Sequence, residues 1–386
     1  MTAVLRLKRG REVRARTHPW IFKGDVADVS TVEPGDVVTV VDAGRRFVGR
    51  GFYNPRPALC CRIVTWDNEP VDERLLRRRV EAAVARRVGA PTLARLVWSE
   101  ADGLPGLVAD RYGDVVVLQC LTLAMARRRP ALTEAFRTAV GDGAVFSADE
   151  PAQASLEGFE AARGWVDKVG PASVVVQEGA VSLKVTFGQG HKTGLYLDQR
   201  ENRLRVSDYA GGRNVLDAFA YTAPFACHAL VAGAQRAVCL ESSPEAIAGA
   251  RTNLDLNGVL ERAELVAGNA FDELRRLDRA GARFGLIVLD PPPFARGRDA
   301  VEAAARGYKE INLRALRMLE PGGVLATFSC SHHVSAETFE AICRDAAADA
   351  GVSLSLVARL SQGSDHPELL TVPESRYLKG LLLAAT

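Results

Sequence analysis

Apolar positions along the chain change period twice. Through residues 1–70 they come in short runs, VLRLKRG, HPWIFKGDV, PGDVVTVVD, RRFVGRGFYN and ALCCRIVTW, each closed by Gly, Pro, Asn or Asp. Such runs predict short strands joined by turns, a small barrel or sandwich. After residue 70 the spacing becomes helical: apolar residues at 75, 76, 80, 83 and 84 predict an amphipathic helix with an arginine-rich outer face. Asp72-Glu73 suits its start and Gly89 its stop. SEADGLPGLVADRYGDVVVLQC then reads as loop, strand, turn, strand, and PALTEAFRTAVGD as a helix, making 71–185 an α+β segment. From about 186 to 386, strand and helix alternate. The strands are RNVLDAFAY, RAVCLES, AELVAGN, FGLIVLD, GVLATFSC, SLSLVARL and YLKGLLLAA. Near-continuous apolar strands separated by helices such as SPEAIAGARTNLDLNG, with its Ser cap and C-terminal Gly, predict a parallel sheet covered on both faces.

Composition narrows the class. The 386 residues are enough for two or three domains, and no stretch approaches the ~18 apolar residues of a membrane helix. MTAVLRLKRG turns basic before an apolar segment could form, so no secretory signal is expected. The seven cysteines include no CxxC pair, which argues against a zinc site or disulfide framework and for a reducing cytoplasm. Residues 1–100 hold 19 Lys+Arg against 12 Asp+Glu, whereas the remainder holds 30 against 35. A basic front suggests contact with a polyanion; an arginine-rich coding bias is the plainer alternative.

Common nucleotide motifs fit poorly. GQGHKTG at 188–194 fails the phosphate-loop pattern, because His191 stands where glycine must precede the lysine. A GxGxxG fingerprint is absent after VLDAFAY, which argues against NAD or FAD. S-adenosylmethionine, with no phosphate and a cationic methionine end, fits better. Asp217 ends the first strand and is followed by Phe219, Tyr221 and Thr222. Glu241 ends the second, where an acid can accept both ribose hydroxyls, and Asn269 follows the third, where an amide can meet adenine. Each of these polar residues taken singly reads as a helix cap or turn residue, but three at successive strand ends in this order favour the cofactor.

Two resemblances sharpen the picture. Gly10-Arg11-Glu12, Arg16-Thr17-His18-Pro19-Trp20-Ile21-Phe22 and Pro34-Gly35-Asp36 resemble a PUA domain, a small RNA-binding barrel. Lys8, Arg9, Arg11, Arg14 and Arg16 are then candidate phosphate contacts, or simply a solvated basic edge. GHKTGLYLDQRENR (190–203), VLDAFAYT, LESS, NLDLNG, GNAFDEL, DPPPF, ARGYKEIN, LEPGG, FSCS, DHPE and PESRYLKG resemble the PUA-containing class I methyltransferases that form 5-methylcytosine in large-subunit ribosomal RNA. The likeness covers nearly the whole chain. It implies a multi-domain α/β protein: an N-terminal PUA β-barrel (1–70), a central α+β domain (71–185) and a C-terminal class I, Rossmann-like methyltransferase (186–386) with a mostly parallel seven-stranded sheet. It further implies S-adenosylmethionine as cofactor, held by Gln199, Arg200, Asp217, Phe219, Glu241, Ser242, Asn269 and Asp290, to which the reading of the first strand end adds Tyr221 and Thr222, and large-subunit ribosomal RNA as partner. There are two departures. FSADEPAQASLEGF lacks the basic residues usual there, and Thr222-Ala223-Pro224-Phe225 replaces the usual Thr-Gly-Gly-Phe.

Cytosine C5 is too weak a nucleophile to take a methyl group directly, so the implied chemistry needs a thiolate that adds to C6. Cys330 in FSCS is the candidate, with Asp290 hydrogen-bonding the base and Phe294 offering a stacking face. His332, His333 or water could remove the C5 proton; no set of spaced metal ligands accompanies the histidines. Two alternatives stand beside this reading: methylation of an exocyclic base amino group through the DPPPF loop, and a non-catalytic RNA-binding ribosome assembly factor. The sequence names neither the nucleotide nor the oligomeric state, and a homodimer is left open.

Overall fold

The computed structural model describes residues 3–87, 92–188, 193–294, 297 and 301–386. The helix stop expected at Gly89 and residues 189–192 of GQGHKTG lie outside them. Two compact units form. One gathers Met1–Val174, Val185–Leu195 and Asp365–Ser375, and the other Val175–Lys184, Tyr196–Ser364 and Arg376–Thr386.

In the first unit, six strands pair in the order Trp20–Phe22, Leu59–Thr65, Phe47–Tyr53, Val37–Val41, Ala3–Leu7 and Val26–Val29. Alternate residues such as Leu5 and Leu7, or Val38 and Val40, point into one core, as strand geometry requires. Residues Glu12–Ala15 form a helical turn, so Arg11, Arg14 and Arg16 surround a helix instead of lying on an edge strand. The helix Glu73–Arg86 begins where Asp72 accepts the N–H of Leu75, and it buries Leu75, Leu76, Val80 and Ala83. Its apolar face packs, together with helix Arg129–Val140, on a five-stranded sheet spanning Leu93–Trp98 to Arg163–Trp165.

The segment Asp365–Ser375 explains two motifs. The Asp365 carboxylate accepts the backbone N–H of Arg95 at 3.0 Å, and Glu374 meets Nε2 of buried His18 at 3.2 Å. His18 Nδ1 takes the Trp20 N–H, so Nε2 carries the proton donated to Glu374. These contacts join residues some 270 and 356 positions apart, a separation that the local pattern cannot reveal.

The second unit holds a seven-stranded sheet: β1 Asn214–Ala218, β2 Arg236–Glu241, β3 Ala263–Ala267, β4 Phe284–Leu289, β5 Leu319–Ser329, β6 Leu354–Ser361 and β7 Lys379–Ala385. Their spatial order is β3-β2-β1-β4-β5-β7-β6. The first five strands are parallel, and β7 runs antiparallel between β5 and β6. Among the described residues six α-helices accompany the sheet: α1 Arg200–Ser207, α2 Pro224–Val231, α3 Pro244–Leu256, α4 Ala270–Arg279, α5 Val301–Met318 and α6 Ala336–Ala350. Leu216 and Ala218 of β1, Ile287 and Leu289 of β4, and Leu325 of β5 share a core with α4, α5 and α6. On the opposite face the ring of Phe225 in α2 packs against Phe328 of β5, with centroids 5.8 Å apart. Both faces are covered, which is why these strands read as continuous apolar runs. Strand order reverses between β1 and β4, and the crevice outside their carboxyl ends is where such sheets bind ligands.

Candidate active site

Five strand ends of this sheet bring the candidate residues together. β1 delivers Asp217, which is 1% exposed and points back into the fold. Its Oδ2 accepts the N–H of Ala226 at 3.0 Å, so it serves the N-terminus of α2, which begins with Pro224. Burial pushes its carboxyl up to about 7; the Ala226 N–H counters this, while Asp290 and Glu241 add to it.

The connection from β1 to α2 is unusual. Phe219, Tyr221 and Ala223 all have positive φ, at 67°, 52° and 58°. This conformation is strained for residues other than glycine, and clusters of such residues mark ligand-shaped turns. Ala223 immediately precedes Pro224 and is fully buried. The left-handed backbone here explains why glycine suits the position, and Pro224 fits because a first helical residue needs no N–H partner.

Glu241, at the end of β2, fixes this turn. One carboxylate oxygen accepts the N–H groups of Ser242 at 2.7 Å and Ser243 at 2.8 Å, and the other accepts that of Tyr221 at 2.9 Å. The first oxygen also takes the Ser242 hydroxyl at 3.3 Å, and the second, with Tyr221 as its donor, keeps acceptor capacity for a ligand hydroxyl. Asn269, exposed beyond β3, spends Oδ1 on capping α4 through the N–H of Phe271, at 2.9 Å. Asn269 is thus a helix cap, and its amide nitrogen is the donor able to meet an adenine edge.

Beyond β4, Asp290 lies half-buried, and its Oδ1 accepts Nε2 of Gln199 at 2.9 Å. Gln199 is 2% exposed, and its Oε1 takes Nδ2 of Asn202 at 2.7 Å. Arg200 follows as the first residue of α1, half-buried. Phe294 is packed into an aromatic cluster: its ring lies 4.7 Å from Tyr308, 5.5 Å from Phe271 and 6.3 Å from Phe219. Its contacts are thus made within the fold.

Beyond β5, Cys330 is half-buried, and its Sγ lies 3.7 Å from the carbonyl oxygen of Pro291. Ser329 and Ser331 on either side are fully buried, and Ser331 shares a 2.8 Å hydrogen bond with Tyr308. The other six cysteines are buried, and burial pushes each thiol up, Cys60 to about 11 and Cys120, Cys227 and Cys343 to about 12. Cys330 therefore differs from every other cysteine in exposure.

Two further residues, whose motifs carry no evident role in the sequence, belong here. The Tyr196 ring meets that of Tyr221 at 5.2 Å, edge to face. Lys379 is buried beside the Cys330 turn. A third is hidden from sequence reasoning because its partners lie far away: Glu178 forms a bidentate pair with buried Arg203 at 2.6 and 2.7 Å and also bonds His228 at 2.8 Å. Arg203 in turn donates to the carbonyl of Tyr196 at 2.9 Å, so this buried trio supports the Tyr196 side of the site.

In the first unit, Lys8, Arg9, Arg11, Arg14 and Arg16 are all exposed. Lys8 bonds the Gly24 carbonyl, Arg11 reaches Asp25 at 3.4 Å, and Arg14 lies 5.4 Å over the Phe22 ring. Arg16 lines a cleft of about 360 Å³ with Trp66, Pro19 and Thr371. No group of three metal-ligating side chains and no helix long and apolar enough to cross a membrane occurs among the described residues.

The site fits a nucleoside carrying a cationic tail. It presents an acid after β2 and an opened turn after β1, and it lacks the glycine fingerprint a pyrophosphate needs. Comparison with known proteins agrees. Residues 158–384 match the model of the S-adenosylmethionine-dependent methyltransferases, and residues 5–66 that of the PUA-like domain. Ribosomal RNA large subunit methyltransferase I of Klebsiella pneumoniae (strain 342) is 39% identical over 385 residues, covering 97% of this chain and 96% of that protein. Its namesake from Escherichia coli O139:H28 is 37% identical over 391 residues, covering 98% of each. A solved candidate S-adenosylmethionine-dependent methyltransferase from Streptococcus mutans shares the fold at TM-score 0.85 and 18% identity, each chain covered completely. The chain therefore belongs to the S-adenosylmethionine-dependent methyltransferases that carry a PUA-like domain, the family of the ribosomal RNA large subunit methyltransferase I proteins.

Proposed function

We propose that this protein methylates C5 of a cytosine in large-subunit ribosomal RNA, in the cytoplasm, through a covalent adduct between Cys330 and C6. One observation carries the reading: Cys330 alone among the seven cysteines is half-buried, and its sulfur lies 3.7 Å from the loop that follows Asp290. Thiol and carboxylate thus converge where the target base would sit.

When bound, S-adenosylmethionine supplies an electrophilic methyl group. Glu241 would hold the ribose hydroxyls, Asn269 the adenine edge, and the turn Phe219–Ala223 the methionine end, with Gln199, Arg200, Thr222 and Ser242 around it. The Cys330 thiolate adds to C6, and the C5=C6 electrons move to C5, which would take the methyl group as the sulfonium–methyl bond breaks and its electron pair returns to sulfur. Loss of the C5 proton to water, His332 or His333 restores the double bond and expels the thiolate, so the enzyme is regenerated. Asp290, half-buried and oriented by Gln199, would hydrogen-bond the base at N3 or its amino group as charge builds there. The base must leave its stack, at about a few kcal/mol if paired. The exposed Lys8, Arg9, Arg11, Arg14 and Arg16 would offset this through phosphate contacts.

The test uses two forms of the protein. Wild type should form a denaturant-stable complex with ribosomal RNA fragments containing 5-fluorocytidine, because the fluorine at C5 cannot leave as a proton does. Cys330→Ser should lose both trapping and turnover while still binding the cofactor. Methyl transfer retained by Cys330→Ser would sink the cysteine mechanism and favour an exocyclic amine as target.

A further inference from the structure

Cys330 needs more than exposure to act, and the chain supplies a specific neighbour. Lys379 opens β7 directly opposite Ser329 of β5. It is 7% exposed, and its ammonium donates to the carbonyl oxygens of Ser331 at 2.7 Å and Tyr377 at 2.9 Å. The first of these belongs to the residue after Cys330. An ammonium lodged in a protein interior is costly and is kept only where other groups offset its desolvation. Two carbonyls do so in part, and the first of them sets the charge against the backbone of the residue that follows Cys330.

The surroundings are built to keep Lys379 there. Gly380 faces Phe328 across the strands, and a side chain on Gly380 would collide with the Phe328 ring. Ser331 is anchored from its other end by the hydroxyl of Tyr308, at 2.8 Å. The backbone around Cys330 is therefore held from β7 and from α5 at once.

We propose that Lys379 is a positioning residue for the nucleophile, fixing the turn that carries Cys330 and placing a cation beside its sulfur. The inference rests on the reading of Cys330 as nucleophile and names the group that would make its thiolate available. A thiolate beside a fixed ammonium forms at lower pH than one in water or in an apolar pocket. Burial lowers Lys379 itself to about 8, with the Cys330 sulfur acting in the opposite direction. The pair then has a defined window: the cation is present below about pH 8 and is lost above it. Other charged or titratable groups around the pair are Arg376 near Lys379, Tyr196 and Tyr308 near Cys330, Asp290 near Tyr196, and His332, whose ring lies 6.0 Å from that of Tyr377.

The test titrates the thiol without RNA. Alkylation of Cys330 by iodoacetamide is followed against pH by mass spectrometry on the full chain, with Cys330→Ser as the blank. In wild type the midpoint should fall at least one unit below the ~8.5 of a free cysteine. Lys379→Met should label about tenfold more slowly at pH 7 and titrate about one unit higher, and Lys379→Arg should recover most of the difference. Cofactor affinity of each variant by calorimetry establishes that the site is folded. A wild-type midpoint at or above ~8.5 overturns the proposal without any variant. So does a Lys379→Met midpoint equal to that of wild type. Methyl transfer by Cys330→Ser would instead defeat the cysteine mechanism while leaving the thiol titration intact, so the two failures are distinguishable.

Discussion

Gln199 and Asp290, 91 residues apart, meet at 2.9 Å, with the amide of Gln199 donating to the carboxylate. The bond ties the start of α1 to the loop after β4, joining a residue expected at the cofactor to one expected at the base. Asn202 holds the other end of the Gln199 amide, so the bond is oriented from both sides. Gln199→Ala should remove this restraint and weaken cofactor binding about tenfold, near 1.4 kcal/mol, as calorimetry would read. Unchanged affinity would mean that the loop after β4 is held by other contacts.

Asp217 links stability to pH in an unusual direction. Its folded carboxyl titrates near 7, above the ~3.9 of an unfolded aspartate, so between those values the folded chain binds more protons. Its contribution is fully present below about pH 4 and is lost as pH rises through about 7. Asp217→Asn should flatten that part of the profile and raise the melting temperature at about pH 8 relative to wild type, measured calorimetrically without cofactor.

Glu178 behaves oppositely. Burial would raise its carboxyl, but Arg203 and His228 overcome this and hold it at about 2, below its ordinary 4.5. Its contribution is present above about 4.5 and is lost as pH falls toward 2. Arg203→Met would strip the buried Glu178 carboxylate of its bidentate partner, leaving His228 on one oxygen, and should cost about 3 kcal/mol in urea unfolding at pH 7. Because Arg203 also holds the Tyr196 carbonyl, the same change should weaken cofactor binding.

Ala223 holds a left-handed backbone, at φ 58°, without the freedom of glycine. Ala223→Gly should stabilise the chain by about 0.5–1 kcal/mol, the strain relieved less the added entropy of the unfolded glycine. Destabilisation in urea unfolding would show that the buried methyl group contributes more by packing than its backbone costs.

Arg16 lines a cleft with Trp66 and is exposed, as is Arg9. Replacing both with glutamine should weaken binding to ribosomal RNA fragments and lower the slope of log affinity against log salt by up to about 2, roughly one for each phosphate no longer neutralised. An unaltered slope in filter binding would place the RNA elsewhere.

Local sequence was enough to specify the architecture of the second unit. Its seven apolar strands, the helix caps at Ser243 and Asn269, and the polar residues at the strand ends are local features, governed by period and turn chemistry. The thiol and the Asp290 loop were legible for the same reason, because parallel strands place their carboxyl ends on one edge. How these groups are used came from packing between distant segments. Asp217 turns inward to serve α2, Phe294 packs into an aromatic cluster, and Asp365–Ser375 returns to the first unit. The same packing seats Lys379 on the carbonyl of Ser331 and Glu178 against Arg203. Each of these outcomes depends on burial and on partners distant in sequence. A carboxylate or ammonium has no fixed role until the fold sets which groups replace its water.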